Sequence, residues 1–350
     1  MARVPTGMNR GVWTTPWGVW KQPQRARVRL QRVVIVKANG AGLTGAEPTE
    51  VDGKLMGPQR SCADARGRLA SPTPPPPAAP PADEADGPAW LRDLAGAWIF
   101  YSVLPAWPFV RPRFARIARF APVVGVVLGG LQAVLWLLTA AWLPAGGRVA
   151  LVMALALFLS GGLHHDGALD TADGLAAGPE RRLEAMGDSR VGAAAVQAAL
   201  LLALLRGAGL LALAGSAPAS GAFALIGAVF WGRLAPLLAM QAYPYLRQQG
   251  SAAFHREHWR GLPRELRPSL LVGGLFMGGQ LVWPPGAAPM AGCWLALVGL
   301  LPALVVPRWL GARLGGHSGD SYGACVEWVE ALSLLFSGLL AAALPRLAAG

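Results

Sequence analysis

The sequence is poor in charged side chains and nearly free of cysteine. Only 14% of its 350 residues are Asp, Glu, Lys or Arg, whereas soluble domains typically carry about 25%. The three cysteines, Cys62, Cys293 and Cys325, have neither the spacing of a zinc site nor the even count of a disulfide framework. These absences argue against a soluble globular domain, a zinc protein and a disulfide-stabilised scaffold.

Apolar sequence takes the place of the missing charge. Hydrophobic residues make up 53% of the chain, and the mean hydropathy is +0.40. The net charge of +12 would suit a nucleic-acid-binding protein, but the basic residues lie between apolar runs rather than together in one polar region. In membrane proteins such residues fix the orientation and contact anionic headgroups. We therefore expect contact with membrane lipid and no nucleic-acid partner.

Residues 1–89 differ from the rest of the chain. They are basic and turn-rich, and they include a Pro/Ala stretch at 71–81. A Pro-rich segment stays extended and cannot bury a core. We predict that residues 1–89 form a disordered or dispensable N-terminal extension and that residues 90–350 form one membrane-embedded domain.

Apolar runs follow one another closely after Trp90, and most approach the ~20 residues that a bilayer requires. They predict an all-α fold, a polytopic transmembrane helical bundle of about six to eight spans. An aromatic, Pro-broken segment at 91–108 precedes them and predicts an interfacial or re-entrant element. The predicted spans are 121–143, 148–163, 191–214, 219–240, 268–284, 290–308 and 330–347.

Arginines alternate between the connections that join these runs. The segment before the first run and the connections after the second, fourth and sixth runs are rich in arginine, whereas the other connections hold almost none. The positive-inside rule places arginine-rich connections in the cytoplasm. We therefore predict a multi-pass protein of the bacterial inner membrane whose acidic residues, and hence its active site, lie on the cytoplasmic side.

An acidic motif follows the second run. Asp166, Asp170 and Asp173 are spaced i, i+4, i+7, which places them within about a 60° arc of one helix face. Three like charges on one face repel each other, unless a cation lies against them. Mg²⁺ accepts a few carboxylates and completes its shell with water and phosphate oxygens. The motif predicts a magnesium site that binds phosphate, and a solvated acidic loop is the alternative.

Two further polar segments precede helical runs. Asp188 and Arg190 open the third run, where Asp188 would cap a helix and Arg190 would either anchor the topology or bind phosphate. A glycine-bracketed segment at 315–324 contains Asp320, which would share a helix face with Glu327 if the segment were helical. Small residues there permit close approach of a ligand to the backbone.

Ionisable residues within the runs leave a non-enzymatic alternative open. Arg206 and Arg233 fall within or near predicted spans, and transporters place such groups near the middle of the bilayer. The acidic residues at predicted helix ends favour an enzyme instead, and the two arginines would then face the bundle interior. His255 and His258 lie in a basic loop, where a histidine is typically a surface residue.

These motifs together resemble those of the cobalamin synthases, the adenosylcobinamide-GDP ribazoletransferases. The acidic segment 164–174 is similar to the family's F-H-x-D-G-L-A-D-T-x-D-G, with Ala168 and Leu169 swapped relative to the common Leu-Ala. Segment 186–192 is similar to M-x-D-S-R-x-G, and segment 315–327 to G-G-x-T-G-D-x-x-G-A-x-x-E, with Ser318 in place of threonine. The resemblance covers about Trp90 to the C-terminus.

The resemblance implies a Mg²⁺-dependent phosphotransferase of cobalamin biosynthesis. It would transfer α-ribazole, or its 5′-phosphate, to adenosylcobinamide-GDP and give adenosylcobalamin, or its 5′-phosphate, and GMP. A CDP-alcohol phosphotransferase is the alternative enzyme, but its longer D-G-x-x-A-R spacing is missing. Predicted catalytic residues are His164, Asp166, Asp170, Asp173 and Asp320, predicted Mg²⁺ ligands are Asp166, Asp170 and Asp173, and predicted substrate-binding residues are Arg190, Asp188, Gly319 and Glu327.

Overall fold

The computed structural model describes residues 12–15, 18–21, 87–247, 252–282, 294–295 and 297–349. Most of the predicted extension 1–89 lies outside these residues, so its disordered or dispensable character stays a prediction. Within it, strands β1 (Val12–Thr15) and β2 (Gly18–Lys21) pair in antiparallel fashion. The helices are α1 (Ala89–Tyr101), α2 (Ala121–Thr139), α3 (Ala145–Ser160), α4 (Leu163–Ala176), α5 (Arg182–Ala185), α6 (Ala193–Ala214), α7 (Pro218–Ala242), α8 (Ala253–Glu257), α9 (Leu262–Glu265), α10 (Arg267–Val282), α11 (Leu300–Leu314) and α12 (Gly319–Ala349).

Among the described residues, four helices are long and apolar enough to cross a bilayer. They are Ala118–Thr139, which joins a short 3₁₀ turn to α2, then α6, α7 and the Gly319–Ala343 part of α12. The bent pair α3 and α4 gives a fifth if it counts as one span. The predicted all-α membrane bundle is confirmed, but the count of six to eight is not. Helices α10 and α11 have only 16 and 15 residues, short of the ~20 that a bilayer requires.

A two-glycine break separates α3 from the acidic motif. The two helix axes differ in direction by 91°. Gly161 and Gly162 join them with φ angles of 62° and 72°, a left-handed conformation that glycine adopts at little cost. The acidic motif therefore occupies a helix of its own, α4, rather than the end of the predicted second span.

Helix α12 begins 11 residues before the predicted last span, so the glycine-bracketed segment is not a loop throughout. The Ser318 hydroxyl accepts a hydrogen bond from the Ser321 amide at 3.3 Å, which is the contact of a helix N-cap. Asp320 and Glu327 consequently lie on one helix, as the sequence allowed. The helix begins before the predicted span because the Ser318 cap starts it, and Gly319 and Gly323 lie inside it.

Helix α12 lies at the centre of the bundle, in contact with α4, α6, α7 and α11. Glycines bring its neighbours close, as small residues do between membrane helices. An added Cβ at Gly209 of α6 would lie 2.4 Å from the Leu334 carbonyl carbon, and one at Gly232 of α7 would lie 3.0 Å from the Val326 carbonyl oxygen. The bundle thus holds α12 against four helices, and residues on its first turns are fixed in position.

Candidate active site

The acidic helix α4 and the start of α12 meet backbone to backbone. An added Cβ at Gly167 would lie 2.6 Å from the carbonyl oxygen of Asp320, and one at Gly323 would lie 3.0 Å from the carbonyl oxygen of His164. Two motifs that are far apart in the sequence are therefore adjacent in the fold. Gly319 lies in the first turn of α12, next to Asp320.

The three aspartates of α4 share one face, as predicted. Residues Leu163–Ala176 are helical throughout, so the i, i+4, i+7 spacing does place Asp166, Asp170 and Asp173 on one stripe. All three are partly exposed. The stripe faces away from the bundle core, because the buried residues of α4 lie on its other side. Those buried residues are His164, Gly167, Ala168, Thr171 and Gly174.

Asp173 also has a structural contact that the sequence did not reveal. Its Oδ2 accepts a hydrogen bond from the Gly192 amide at 2.7 Å, and its Oδ1 accepts one from the Ala195 amide at 3.0 Å. A carboxylate in this position caps a helix and offsets the partial positive charge of its N-terminus. Asp173 therefore joins α4 to the start of α6, which we expect to compete with its predicted role as a Mg²⁺ ligand.

In the part of the chain that the structure describes, no three His, Cys, Asp or Glu side chains lie close enough together to hold a metal ion. Mg²⁺ in enzymes of phosphate chemistry is usually held by one or two carboxylates together with phosphate oxygens and water. Asp166 and Asp170 offer hard oxygen donors one helical turn apart on an accessible face. This donor set fits a Mg²⁺ ion that binds together with a phosphate substrate.

Asp320 forms an ion pair with Arg247, whose place in the sequence indicates only a basic loop. Arg247 Nη2 lies 3.2 Å from Asp320 Oδ2, and the Ser318 hydroxyl lies 3.4 Å from the same oxygen. Arg247 Nη2 also donates to the Leu183 carbonyl at 3.5 Å. One more arginine in a basic loop carries no sequence signal, so only the fold identifies it as part of this site.

The two adjacent histidines of α4 have different surroundings. His164 is buried and stacks on Tyr101, with ring centroids 6.1 Å apart. His165 is partly exposed, and its Nδ1 lies 3.2 Å from Glu327 Oε2. The structure thus places Glu327 beside His165. The catalytic role of His164 and the substrate contact of Glu327 stay predictions.

A cluster of charged side chains lies inside the bundle, between α6 and α12. Arg206 Nη1 lies 3.1 Å from Glu327 Oε2, and Arg206 Nη2 lies 3.1 Å from Glu330 Oε2. Arg206 is roughly 20 Å along α6 from the first residue of that helix, at 1.5 Å per residue. Arg233 is buried as well. Both arginines face the bundle interior. This is the arrangement expected if the protein is an enzyme rather than a transporter.

Asp188 and Arg190 pair with each other on the surface. Arg190 Nη2 lies 2.7 Å from Asp188 Oδ2, and the Arg190 amide donates to Asp188 Oδ1 at 3.0 Å. The expectation that Asp188 caps the following helix is wrong, because α6 begins at Ala193 and Asp173 caps it. The hydrogen bond that Arg190 donates to the Asp188 carboxylate raises the pKa of Arg190, so this exposed guanidinium keeps its positive charge and stays accessible to phosphate.

Two buried histidines support the loops around the site. His317 Nε2 donates to the Pro307 carbonyl at 3.0 Å, so its Nδ1 accepts from the Ser321 hydroxyl at 3.0 Å. Burial lowers the pKa of His317 to about 4. His255 was expected at the surface but is buried between Phe100 and Phe254, and burial lowers its pKa to about 3. Both rings are therefore neutral at pH 7.

Comparison with known proteins gives consistent matches over this region. The cobalamin-5-phosphate synthase family model matches residues 93–338. A Prochlorococcus marinus (strain MIT 9303) protein, named adenosylcobinamide-GDP ribazoletransferase, is 55% identical over 264 residues, which cover 72% of this chain and 97% of that protein. A Thermosynechococcus vestitus protein of the same name is 44% identical over 247 residues, or 70% of this chain and 95% of that protein. No solved structure matches significantly.

Proposed function

Since the chain belongs to the cobalamin-5-phosphate synthase family, we propose that it is an adenosylcobinamide-GDP ribazoletransferase. It transfers α-ribazole, or its 5′-phosphate, to adenosylcobinamide-GDP in the nucleotide-loop assembly step of cobalamin biosynthesis. The products are adenosylcobalamin, or its 5′-phosphate, and GMP. The observation that carries this proposal is the contact between the aspartate helix α4 and the Asp320 turn of α12, which gathers carboxylates and an arginine at one end of a membrane bundle.

The reaction exchanges one phosphorus–oxygen bond for another. A ribose hydroxyl of ribazole attacks the phosphorus that is linked to cobinamide, and a new phosphate ester forms. The bond from that phosphorus to the bridging oxygen of the pyrophosphate breaks, and GMP leaves with this oxygen. The hydroxyl proton passes to a base. Such transfers depend on positioning and on neutralisation of phosphate charge.

The residues divide these tasks among them. Asp166 and Asp170 hold Mg²⁺, which when bound supplies positive charge at the pyrophosphate oxygens. Asp173 holds α4 against α6, and the exposed Arg190 offers a guanidinium fork suited to phosphate. His165 is partly exposed and its Nδ1 is held by Glu327. These contacts support His165 over the buried His164 as the acceptor of the hydroxyl proton.

The reaction can be tested directly with the membrane-embedded protein. Adenosylcobinamide-GDP, α-ribazole and Mg²⁺ should yield cobalamin and GMP in equal amounts, because a single displacement produces both. EDTA should stop both products if Mg²⁺ is needed. Release of GDP instead of GMP would mean that a different bond breaks. Cleavage of the pyrophosphate without ribazole would mean that water is the nucleophile.

We propose that the protein is a multi-pass protein of the bacterial inner membrane with this site on the cytoplasmic side. The connections from α4 to α6 and from α7 to α10 carry most of the arginines near the site, and arginine-rich connections stay in the cytoplasm. Since α6 is a candidate span, the α6–α7 connection would then lie on the opposite side.

Cysteine labelling in intact cells tests this orientation. Glu180 and Ala217 are exposed residues on either side of α6. In a cysteine-free background, Ala217→Cys should react with an impermeant thiol reagent, and Glu180→Cys should react only after the cells are opened. The opposite pattern would place the aspartate helix outside the cytoplasm and contradict the proposed localisation.

A further inference from the structure

The segment that carries Arg247 is fastened to the start of α12. Helix α7 ends at Ala242, and the following residues run beside the Gly315–Ser318 turn. The His317 amide donates to the Pro244 carbonyl at 2.9 Å, and the Leu246 amide donates to the His317 carbonyl at 2.8 Å. Because these backbone bonds hold the residues directly before it, Arg247 begins next to the start of α12.

The guanidinium of Arg247 joins two segments that both pack against the aspartate helix. Its Nη2 contacts Asp320 Oδ2 and the Leu183 carbonyl of α5. Those two partners border opposite ends of one face of α4, because Asp320 packs against Gly167 and α5 packs against Gly174. Asp170 lies between these glycines in the sequence and within about 60° of both around the helix. Arg247 is therefore next to the carboxylate stripe.

The contacts of Arg247 differ from those of the arginine pairs that fasten the other loops. Arg113 donates from Nε to Asp93 Oδ1 at 2.8 Å and from Nη2 to Asp93 Oδ2 at 2.9 Å. Arg247 reaches both of its partners through Nη2 alone. A guanidinium has five N–H donors in a planar fork, so in the part of the chain that the structure describes its Nε and Nη1 donors are available to a ligand.

We infer that Arg247 binds the pyrophosphate of adenosylcobinamide-GDP and that Asp320 is the residue that positions it. This inference rests on the proposed function and adds a substrate-binding residue to it. A guanidinium fork matches phosphate oxygens, and the charge on the bridging oxygen rises as GMP leaves. A cation held at that place stabilises the transition state more than the bound substrate. Asp320 acts through Arg247 rather than on the reacting atoms.

Kinetics of Arg247→Gln, with Arg264→Gln as the matched control, test the binding role. Arg264 is an exposed arginine in the same basic loop region, so both variants lose one positive charge. We expect Arg247→Gln to lower kcat/KM for adenosylcobinamide-GDP about 100-fold or more, as loss of one transition-state contact does. The KM for ribazole should stay unchanged, and Arg264→Gln should match the wild type.

A double-mutant cycle with Asp320→Asn tests the positioning role. If Asp320 works by holding Arg247, the Arg247→Gln/Asp320→Asn double variant should be no slower than Arg247→Gln alone, since coupled residues are not additive. Fully additive losses would show that Asp320 acts independently, as a metal ligand would, and would overturn this half of the inference.

The outcomes separate this inference from the proposed function. A wild-type protein that makes no cobalamin defeats the proposed function whatever the variants do. An active wild type with Arg247→Gln as fast as Arg264→Gln overturns the inference alone. If Arg247→Gln does not fold, Arg247→Lys retains the charge without the planar fork. For the folded Lys variant, a lowered kcat/KM for adenosylcobinamide-GDP with an unchanged KM for ribazole supports phosphate binding, and a wild-type kcat/KM contradicts it.

Discussion

Asp166→Asn and Asp170→Asn should each lower cobalamin formation about 1,000-fold, at the upper end of what one electrostatic contact contributes. Asparagine keeps the shape of the side chain but removes the charge that a divalent cation needs. Folding should be unaffected or slightly improved, because the substitution relieves repulsion along the stripe. Turnover of adenosylcobinamide-GDP at saturating Mg²⁺ measures the loss of activity, and a thermal melt of each variant measures the change in stability. Near-normal turnover in both variants would contradict the magnesium site and favour the alternative, a solvated acidic loop.

Asp173 provides an internal comparison on the same helix. Its two oxygens accept hydrogen bonds from the Gly192 and Ala195 amides, whereas asparagine has one acceptor oxygen and would turn an NH2 group toward the second amide. If Asp173 serves only as the cap, Asp173→Asn should lose some stability but stay active, and Asp173→Ala should lose about 1 kcal/mol of folding free energy. Loss of turnover in Asp173→Asn with normal stability would instead restore it to the Mg²⁺ ligands.

Arg206→Gln should destabilise the folded protein by about 3–5 kcal/mol, because it leaves the buried carboxylates of Glu327 and Glu330 without this cation. The loss should be visible as a lower melting temperature and a smaller yield of monodisperse protein. Arg181→Gln is the matched control, since Arg181 pairs with Glu184 at the surface. Exposed pairs contribute about 0–1 kcal/mol, so the control should melt like the wild type.

A second substitution shows whether buried charge is the cause. In the Arg206→Gln/Glu330→Gln double variant one of the two stranded carboxylates is neutral. Stability should therefore recover in part relative to Arg206→Gln. A double variant less stable than Arg206→Gln would mean that shape complementarity, rather than uncompensated charge, accounts for the loss.

The sequence predicted what depends on local spacing. Helical periodicity fixed the relation of Asp166, Asp170 and Asp173, and their stripe is present on α4. Contacts between distant segments left no local trace. No pattern links Asp173 to the Gly192 amide, Arg247 to Asp320, or Glu327 to Arg206, because each pair forms only when separate helices pack together.

The differences between the predicted spans and the described helices have physical causes too. Hydropathy measures how apolar a run is but does not detect its ends. Among the described residues α10 and α11 are too short to pass as spans, although both lie in apolar sequence. Helix α12 begins earlier than predicted, since Ser318 caps its start in sequence that is rich in glycine.

The absence of side chains where α4 meets α12 has a further consequence. At Gly167 and Gly323 the distance between the two halves of the site is set by peptide groups in contact, which do not change rotamer and cannot compress. We therefore expect this distance to stay the same when a change in bilayer thickness tilts the outer helices. The enzyme can therefore keep one catalytic geometry in bilayers of different composition.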